Sequence, residues 1–332
     1  MAHKVTPDLL NYGATYDRVV AEDDPNGVMY TFENVILGGT TTDENTICLN
    51  GTYVIFTGVP HYFHFLKEYL SVFLHTKRTK DKDAKYLWID HEHFFFPGYQ
   101  DMKPVHNLVF SMMKNFDGIR LKDTDLQNTV VLVEKLVVMY DSQMIVANTY
   151  FPRHDYGMTP TLNLELREFF SQYAIKDESL PKKIFLTRKI VSKELPSYPD
   201  YASTGHKWKK DQMKLRWNEP WVEDAIEDYF MSQGYAVVQP SGIPMQDQIR
   251  LFYNADYVAG LLGTAFYNGI FSKPGTQFTA IRTTPAYWYN FEGDIKSVID
   301  APFSYINLYS KVSYPQVQMM LKSEIYTKKI AI

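Results

Sequence analysis

The chain has 332 residues, 45% of them hydrophobic, which is enough for the cores of two ordinary domains. Its formal net charge of −4 excludes a general polyanion binder, so no nucleic-acid partner is expected. The one cysteine, Cys48, excludes an intramolecular disulfide and a four-cysteine zinc site, and suits a reducing compartment. The opening residues, Met1 to Asp8, lack the apolar h-region of a signal peptide, and no apolar run is long enough to span a bilayer. A cytoplasmic protein is the expectation.

In chain order, residues 28–57 read as β-structure: Met29 to Leu37, Thr46 to Leu49 and Tyr53 to Thr57. Asn50-Gly51-Thr52 has the form of a glycosylation acceptor, but Asn-Gly between two apolar runs predicts a hairpin turn. Gly58-Val59-Pro60 breaks the strand, and Pro60 suits the first turn of an apolar helix over 61–75. A polar link from Thr76 to Lys85 leads to a strand, Tyr86 to Ile89, and then to a helix, Val105 to Asn115. The β-branched run Val130 to Tyr140 predicts two short strands around Glu134-Lys135. Residues 160–173 have helical spacing, with Leu162, Leu166, Phe169 and Phe170 on one face. Asp177-Glu178-Ser179 reads as a linker.

Lys183 to Thr187 opens a second α/β series, with a helix from Glu223 to Gln233 and a strand from Tyr235 to Val238. Gly234 to Ile281 then reads strand, helix, strand, glycine turn, helix, strand, with Tyr257 to Ala259 feeding the turn and a helix from Thr264 to Phe271. Pro315 to Lys328 predicts a final helix. Strands alternating with helices in both halves predict an α/β fold of two Rossmann-like domains facing a cleft. The expected domains are 1–178 and 179–310, with a terminal helical segment over 311–332.

Several patterns could carry chemistry. Gly260 and Gly263 lie between a strand and the helix opening at Thr264. Glycine permits close backbone approach, and a helix start offers unpaired N–H groups and a positive dipole end, so the turn could hold a phosphate. It could equally be a tight connection. Between Pro181 and Arg216 stand ten Lys/Arg against three acidic residues. Most of those lysines suit a solvated face. Arg188 differs because it directly follows a predicted buried strand, whose carboxyl end points into the ligand crevice of an α/β domain. Its planar fork suits a diphosphate.

His64 and Glu68 stand four apart on one helical face. A first-turn His64 is favoured neutral by the helix dipole and could take a proton from a hydroxyl, with Glu68 orienting it. The alternative is a core histidine. Asp90-His91-Glu92-His93 follows a strand and could bind a divalent metal through Asp90, His91 and His93, or be an ordinary polar loop. Asp123-Thr124-Asp125 resembles a metal-binding Asp-x-Asp but follows Lys122 rather than a buried strand.

Taken together, these motifs resemble glycosyltransferase family 61, the group containing plant xylosyl- and arabinosyltransferases and animal O-linked GlcNAc transferases. The resemblance rests on an ordered set. His64-Phe65-Leu66 with Glu68 matches the early His-aromatic-Leu motif, and Thr187-Arg188-Lys189 matches a strand ending in Ser/Thr-Arg-Arg. Arg216-Trp217-Asn218-Glu219 matches a later Arg with Asn-Glu, and Gln248, Ala255 and Asp256 precede the glycine strand as in the family. Gly260 to Asn268 corresponds to Gly-x-His-Gly-Ala-x-x-x-Asn. Leu262 stands in place of the usual His, Ala280 where an acidic residue is common near a strand end, and Lys189 in place of the second Arg.

The resemblance implies a GT-B architecture and an inverting transfer from a nucleotide-sugar, most simply a UDP-sugar, to a glycan or glycoconjugate hydroxyl. It implies an N-terminal acceptor domain with His64 as base, aided by Glu68. It places the diphosphate on Thr187, Arg188, Lys189, Arg216, Asn218, Glu219, Gln248, Gly260, Gly263, Thr264, Ala265 and Asn268, with no metal or other cofactor required. A cytoplasmic bacterial or viral enzyme fits best. Leu262 and Ala280 leave open a catalytically altered member that binds carbohydrate or protein. An epimerase on a Rossmann scaffold is disfavoured because no Gly-x-Gly-x-x-Gly stands near the N-terminus.

Overall fold

The computed structural model describes residues 15–24, 27–38, 46–58, 65–90, 103–122, 126, 129–141, 160–187, 220–282 and 291–308. The chain divides into two compact α/β units, Met1–Phe169 and Phe170–Ile332.

In the first unit, β1 (Arg18–Asp24), β2 (Gly27–Leu37) and β3 (Thr46–Gly58) lead to a π-helical turn at Phe65–Leu70 that continues into α1 (Ser71–Thr79). Then follow β4 (Lys85–Asp90), α2 (Lys103–Met112), β5 (Gly118–Lys122), β6 (Val130–Asp141) and α3 (Pro160–Phe169). The sheet order is β1-β2-β6-β3-β4-β5. Strands β6, β3, β4 and β5 are parallel, while β2 is antiparallel to both β6 and β1. Among the described residues β1 lies at the edge of the sheet, paired with β2. One face of the sheet closes over Phe32, Val35, Tyr53, Ile55, Leu87, Ile89, Val133 and Leu136.

Three expectations are corrected here. Asn50-Gly51 is no hairpin: β3 runs through it, and the β3–β6 register slips between Leu49 and Thr52. Two residues on β3 face Glu134 alone, which makes a β-bulge. Gly51 takes φ 95°, a conformation that favours glycine, and its N–H donates to Glu134 Oε2 at 2.6 Å. Glu134-Lys135 likewise does not split the apolar run. Val130–Asp141 is one strand, paired along its length with β2. Opposite Glu134, Asn34 of β2 also has a positive φ, 52°. The polar residues therefore mark a line where the sheet bends, and pairing on both sides carries the strand through it. The polar link expected from Thr76 is also shorter, since α1 continues to Thr79.

In the second unit, a short 3₁₀ turn at Ser171–Tyr173 precedes β7 (Lys183–Leu186), α4 (Pro220–Ser232), β8 (Ala236–Val238), α5 (Met245–Asn254) and β9 (Tyr257–Leu261). A 3₁₀ helix at Thr264–Phe271, β10 (Gln277–Arg282), α6 (Phe291–Lys296) and β11 (Phe303–Asn307) complete it. The five strands lie in the order β11-β10-β9-β7-β8, all parallel. Such a sheet is covered on both faces. On one, Phe185, Ala259, Leu261, Ile281 and Ile306 meet Ala225, Ile226, Tyr229 and Phe230 of α4. On the other, the 3₁₀ helix and α6 pack over Phe278 and Phe303, whose rings stack at 5.5 Å. Asn254, at the end of α5, ties down residues 175–177: it donates to Ile175 O and accepts from the Asp177 N–H.

Candidate functional site

The second unit gathers chemistry at the carboxyl edge of its parallel sheet. After β7 the chain adds β8 on one side, then crosses back over β7 to place β9 on the other, and β10 and β11 follow outward. The order therefore reverses between β7 and β9, and open α/β sheets bind ligands at the carboxyl ends of the strands at such a switch point. Leu186 pairs with Gly260, so Thr187 stands level with Leu261 at this edge, followed in the chain by Arg188 and Lys189. On the β9 side the strand ends at Leu261, Leu262 and Gly263 form the turn, and the 3₁₀ helix opens at Thr264.

The structure places the described candidates in three roles. Thr264 and Ala265 are half-buried at the start of the helix, where the first N–H groups have no partner within it. That helix is 3₁₀ rather than the ordinary helix its sequence suggests: the Phe266 N–H bonds Gly263 O at 2.9 Å, a three-residue step. Gly260 serves close packing of strands. A Cβ there would stand 2.7 Å from Leu186 O and 2.8 Å from Leu186 Cβ, so β7 is what approaches it. Gln248 and Asn268 are buried and bonded to each other: Asn268 Nδ2 donates to Gln248 Oε1 at 2.7 Å, and Gln248 Nε2 donates to Ile243 O at 2.7 Å. This amide pair latches the 3₁₀ helix to the start of α5. Leu262 and Ala280 are buried apolar positions.

Arg188, Lys189, Arg216, Asn218 and Glu219 lie outside the described residues, as do His64, His91, His93, Asp123, Asp125 and the helix expected over 315–328. Glu68 belongs to the π-helical turn, and its side chain is likewise outside the described part.

Sequence reasoning passed over several groups at these edges. The Thr187 hydroxyl donates to the buried carboxylate of Glu227 in α4, which fixes the strand end that leads into Arg188. Arg282 ends β10 as Arg188 follows β7, and the same strand-end argument would have found it. Its guanidinium carbon lies 3.5 Å from the ring centre of Tyr305. The Tyr305 hydroxyl donates to Glu292 Oε2 at 2.8 Å, and Glu292 Oε1 accepts from Lys296 Nζ at 2.5 Å. Burial first, and then the bond to Glu292, push the Tyr305 phenol well above its ordinary value, with Arg282 opposing, so it remains a neutral donor.

In the first unit, the Phe65-Leu66 motif forms the π-helical turn, a local geometry frequent at functional sites. Phe65 is fully buried, 4.4 Å from the ring of His106 and 5.6 Å from that of Trp88. Asp90, a candidate metal ligand, is engaged otherwise. Its Oδ1 accepts from Trp88 Nε1 at 2.7 Å and its Oδ2 from Arg120 Nε at 2.5 Å. The Arg120 guanidinium also lies 4.7 Å from the rings of both Trp88 and Phe110. Among the described residues no three His, Cys, Asp or Glu side chains converge on a point where a metal could sit.

The class these features define is an α/β protein whose second unit carries a parallel sheet with a switch point in its strand order. Its family is shown by comparison: the profile of glycosyltransferase 61 matches residues 62–279, well over half of the chain. The chain belongs to that family and is a glycosyltransferase. No curated protein matches it by sequence. Among solved structures it is similar to the E. coli heptosyltransferase WaaC with ADP-2-deoxy-2-fluoro heptose, at 10% identity over 82% of this chain and 99% of that one, with a TM-score of 0.31. No helix among the described residues is long and apolar enough to cross a membrane.

Proposed function

We propose that this glycosyltransferase moves a sugar from a UDP-type nucleotide donor to a hydroxyl of a glycan or glycoconjugate, with inversion at the anomeric carbon, in the cytoplasm. The observation that carries the reading is the switch point between β7 and β9, where Thr187 and the Gly263–Thr264 turn follow neighbouring strands; Arg188 and Lys189 come next to Thr187 in the sequence. Departure of the nucleoside diphosphate builds negative charge on its phosphates. Arg188, Lys189 and Arg216 answer that charge, aided by the N–H groups at Thr264 and Ala265. Cationic side chains in this role leave no step that needs a metal. The acceptor hydroxyl attacks the anomeric carbon as its proton passes to His64, with Glu68 orienting the imidazole, while the bond to the diphosphate breaks. One displacement inverts the centre without a covalent intermediate. This reading gives the donor to the second unit and the acceptor to the first.

Thermal unfolding of the protein with UDP, GDP, CMP and their sugar conjugates tests it. A nucleotide at a hundred times its dissociation constant stabilises by ~2.7 kcal/mol, a shift of several degrees. One nucleotide class should produce that shift, and Arg188→Ala should remove both the shift and most turnover while the fold survives. A second reading, a carbohydrate- or protein-binding module, draws on the burial of Leu262 and Ala280 at positions where the family commonly carries polar side chains. Glycan binding without any nucleotide shift would favour it.

A further inference from the structure

Arg282 lies just beyond the residues that the family profile covers. It is the last residue of β10, and its neighbour Ile281 pairs with Leu261 of β9 and accepts the Leu262 N–H at 2.9 Å. Arg282 is thus one strand spacing, ~4.8 Å, from the strand that ends in the Gly263–Thr264 turn. Strand alternation puts Arg282 on the face of Phe278 and Ala280, the face that the 3₁₀ helix covers. The backbone of Arg282 and the helix opening therefore lie at one edge, and the side chain leaves on the face that the helix covers, with its guanidinium over Tyr305 of β11.

The surroundings of Arg282 are unusual for a structural arginine. Among the described residues no carboxylate pairs with it. The nearest acid in the cluster, Glu292, is occupied by the Tyr305 hydroxyl and by Lys296. The guanidinium rests instead on the Tyr305 ring, which fixes its plane without neutralising its charge. Its Nε is buried with no acceptor among the described residues. A buried donor without a partner is costly, and it marks a place where a ligand can supply the missing acceptor.

We propose that Arg282, held by Tyr305, is a further contact for the phosphoryl oxygens of the donor, setting specificity for a diphosphate over a monophosphate or a nucleoside. This rests on the nucleotide-donor reading above. An anionic oxygen against the guanidinium satisfies Nε and places the charge of the arginine where the leaving group gains its own. The neutral Tyr305 acts on the ligand only through Arg282, so it is a positioning residue.

Calorimetric titration of the full chain with UDP, GDP and CMP, and with uridine as a phosphate-free control, tests the assignment. Arg282→Gln should raise the dissociation constant for the bound diphosphate about 10- to 100-fold, the weight of one charge-assisted hydrogen bond, and leave nucleoside binding unchanged. Arg282→Lys should recover part of the loss, since it keeps the charge and loses the fork. Tyr305→Leu should weaken the diphosphate in the same selective way with Arg282 still present, and it serves with Arg282→Lys if Arg282→Gln does not fold. Wild-type affinity for the diphosphate in a folded Arg282→Gln protein overturns the proposal, and if Arg188→Ala weakens binding at the same time the donor reading stands. Absence of nucleotide binding by the wild type overturns both.

Discussion

Glu165 of α3 shows how burial acts on one side chain. Its carboxylate is buried, with Arg78 Nε 2.6 Å and His75 Nδ1 4.0 Å from Oε1. Burial raises its pKa above the ordinary 4.5; the positive Arg78 opposes this and Glu168 adds to it. A carboxyl whose folded pKa is raised contributes stability that is fully present below its unfolded value and lost as pH rises through the folded one. Glu165→Gln, which mimics the protonated form, should therefore gain on the wild type as pH climbs from about 4.5 towards neutrality. Chemical denaturation across that range reads the difference, and a pH-independent gap would show that Arg78 cancels the burial cost. The side chain of Asp90 makes a related point. From sequence it looked free to bind metal, but Trp88 and Arg120 take one oxygen each. The Arg120 partner comes from a neighbouring strand, and local spacing does not reveal it.

The 3₁₀ helix at Thr264–Phe271 is the element on which the candidate donor site depends. An apolar face of Phe266, Ile270 and Phe271 buries it, but apolar packing alone leaves its register loose. The bond between Gln248 and Asn268 sets that register, at a position where water is excluded. Gln248→Ala removes the acceptor of Asn268 Nδ2 and the donor to Ile243 O, at roughly 1–3 kcal/mol for each buried hydrogen bond lost. A double-mutant cycle with Asn268→Ala should return a coupling energy of roughly 0.5–3 kcal/mol. Near-zero coupling would mean that the two amides act independently. The second element of note is the bulge at Asn50-Gly51. The dipeptide is read correctly as a place for left-handed backbone, but parallel pairing of the flanking segments with β6 turns an expected reversal into a bend.

At the scale of the molecule, each unit has its own apolar core, one around Phe32, Leu87 and Val133 and the other around Phe185, Phe230 and Ile281. Proteins built this way depart from all-or-none unfolding. Scanning calorimetry of the full chain should resolve two components, and a bound nucleotide should raise only the one that Gln248→Ala lowers. A nucleotide that raises both equally would assign the donor to more than the second unit. A single sharp transition would mean that the two cores unfold as one.

Much of this protein is determined by local pattern. Apolar periodicity marks the α/β class, and most strands and helices fall near their expected places, because side-chain period follows from backbone geometry alone. The ordered motifs from His64 to Asn268 identify the family for the same reason: they are properties of the chain read in order. The edge position of Thr187 and of the Gly263–Thr264 turn was legible too, since a residue after a buried strand lies at a sheet edge in any arrangement. Tertiary structure alone decided the reversal of strand order between β7 and β9, the latch joining Gln248 to Asn268, and the stacking of Arg282 on Tyr305. Each joins segments distant in sequence, and the partner is selected by which surfaces remain to be buried once the sheet has formed. That selection is a property of the whole core and leaves no periodic trace along the chain.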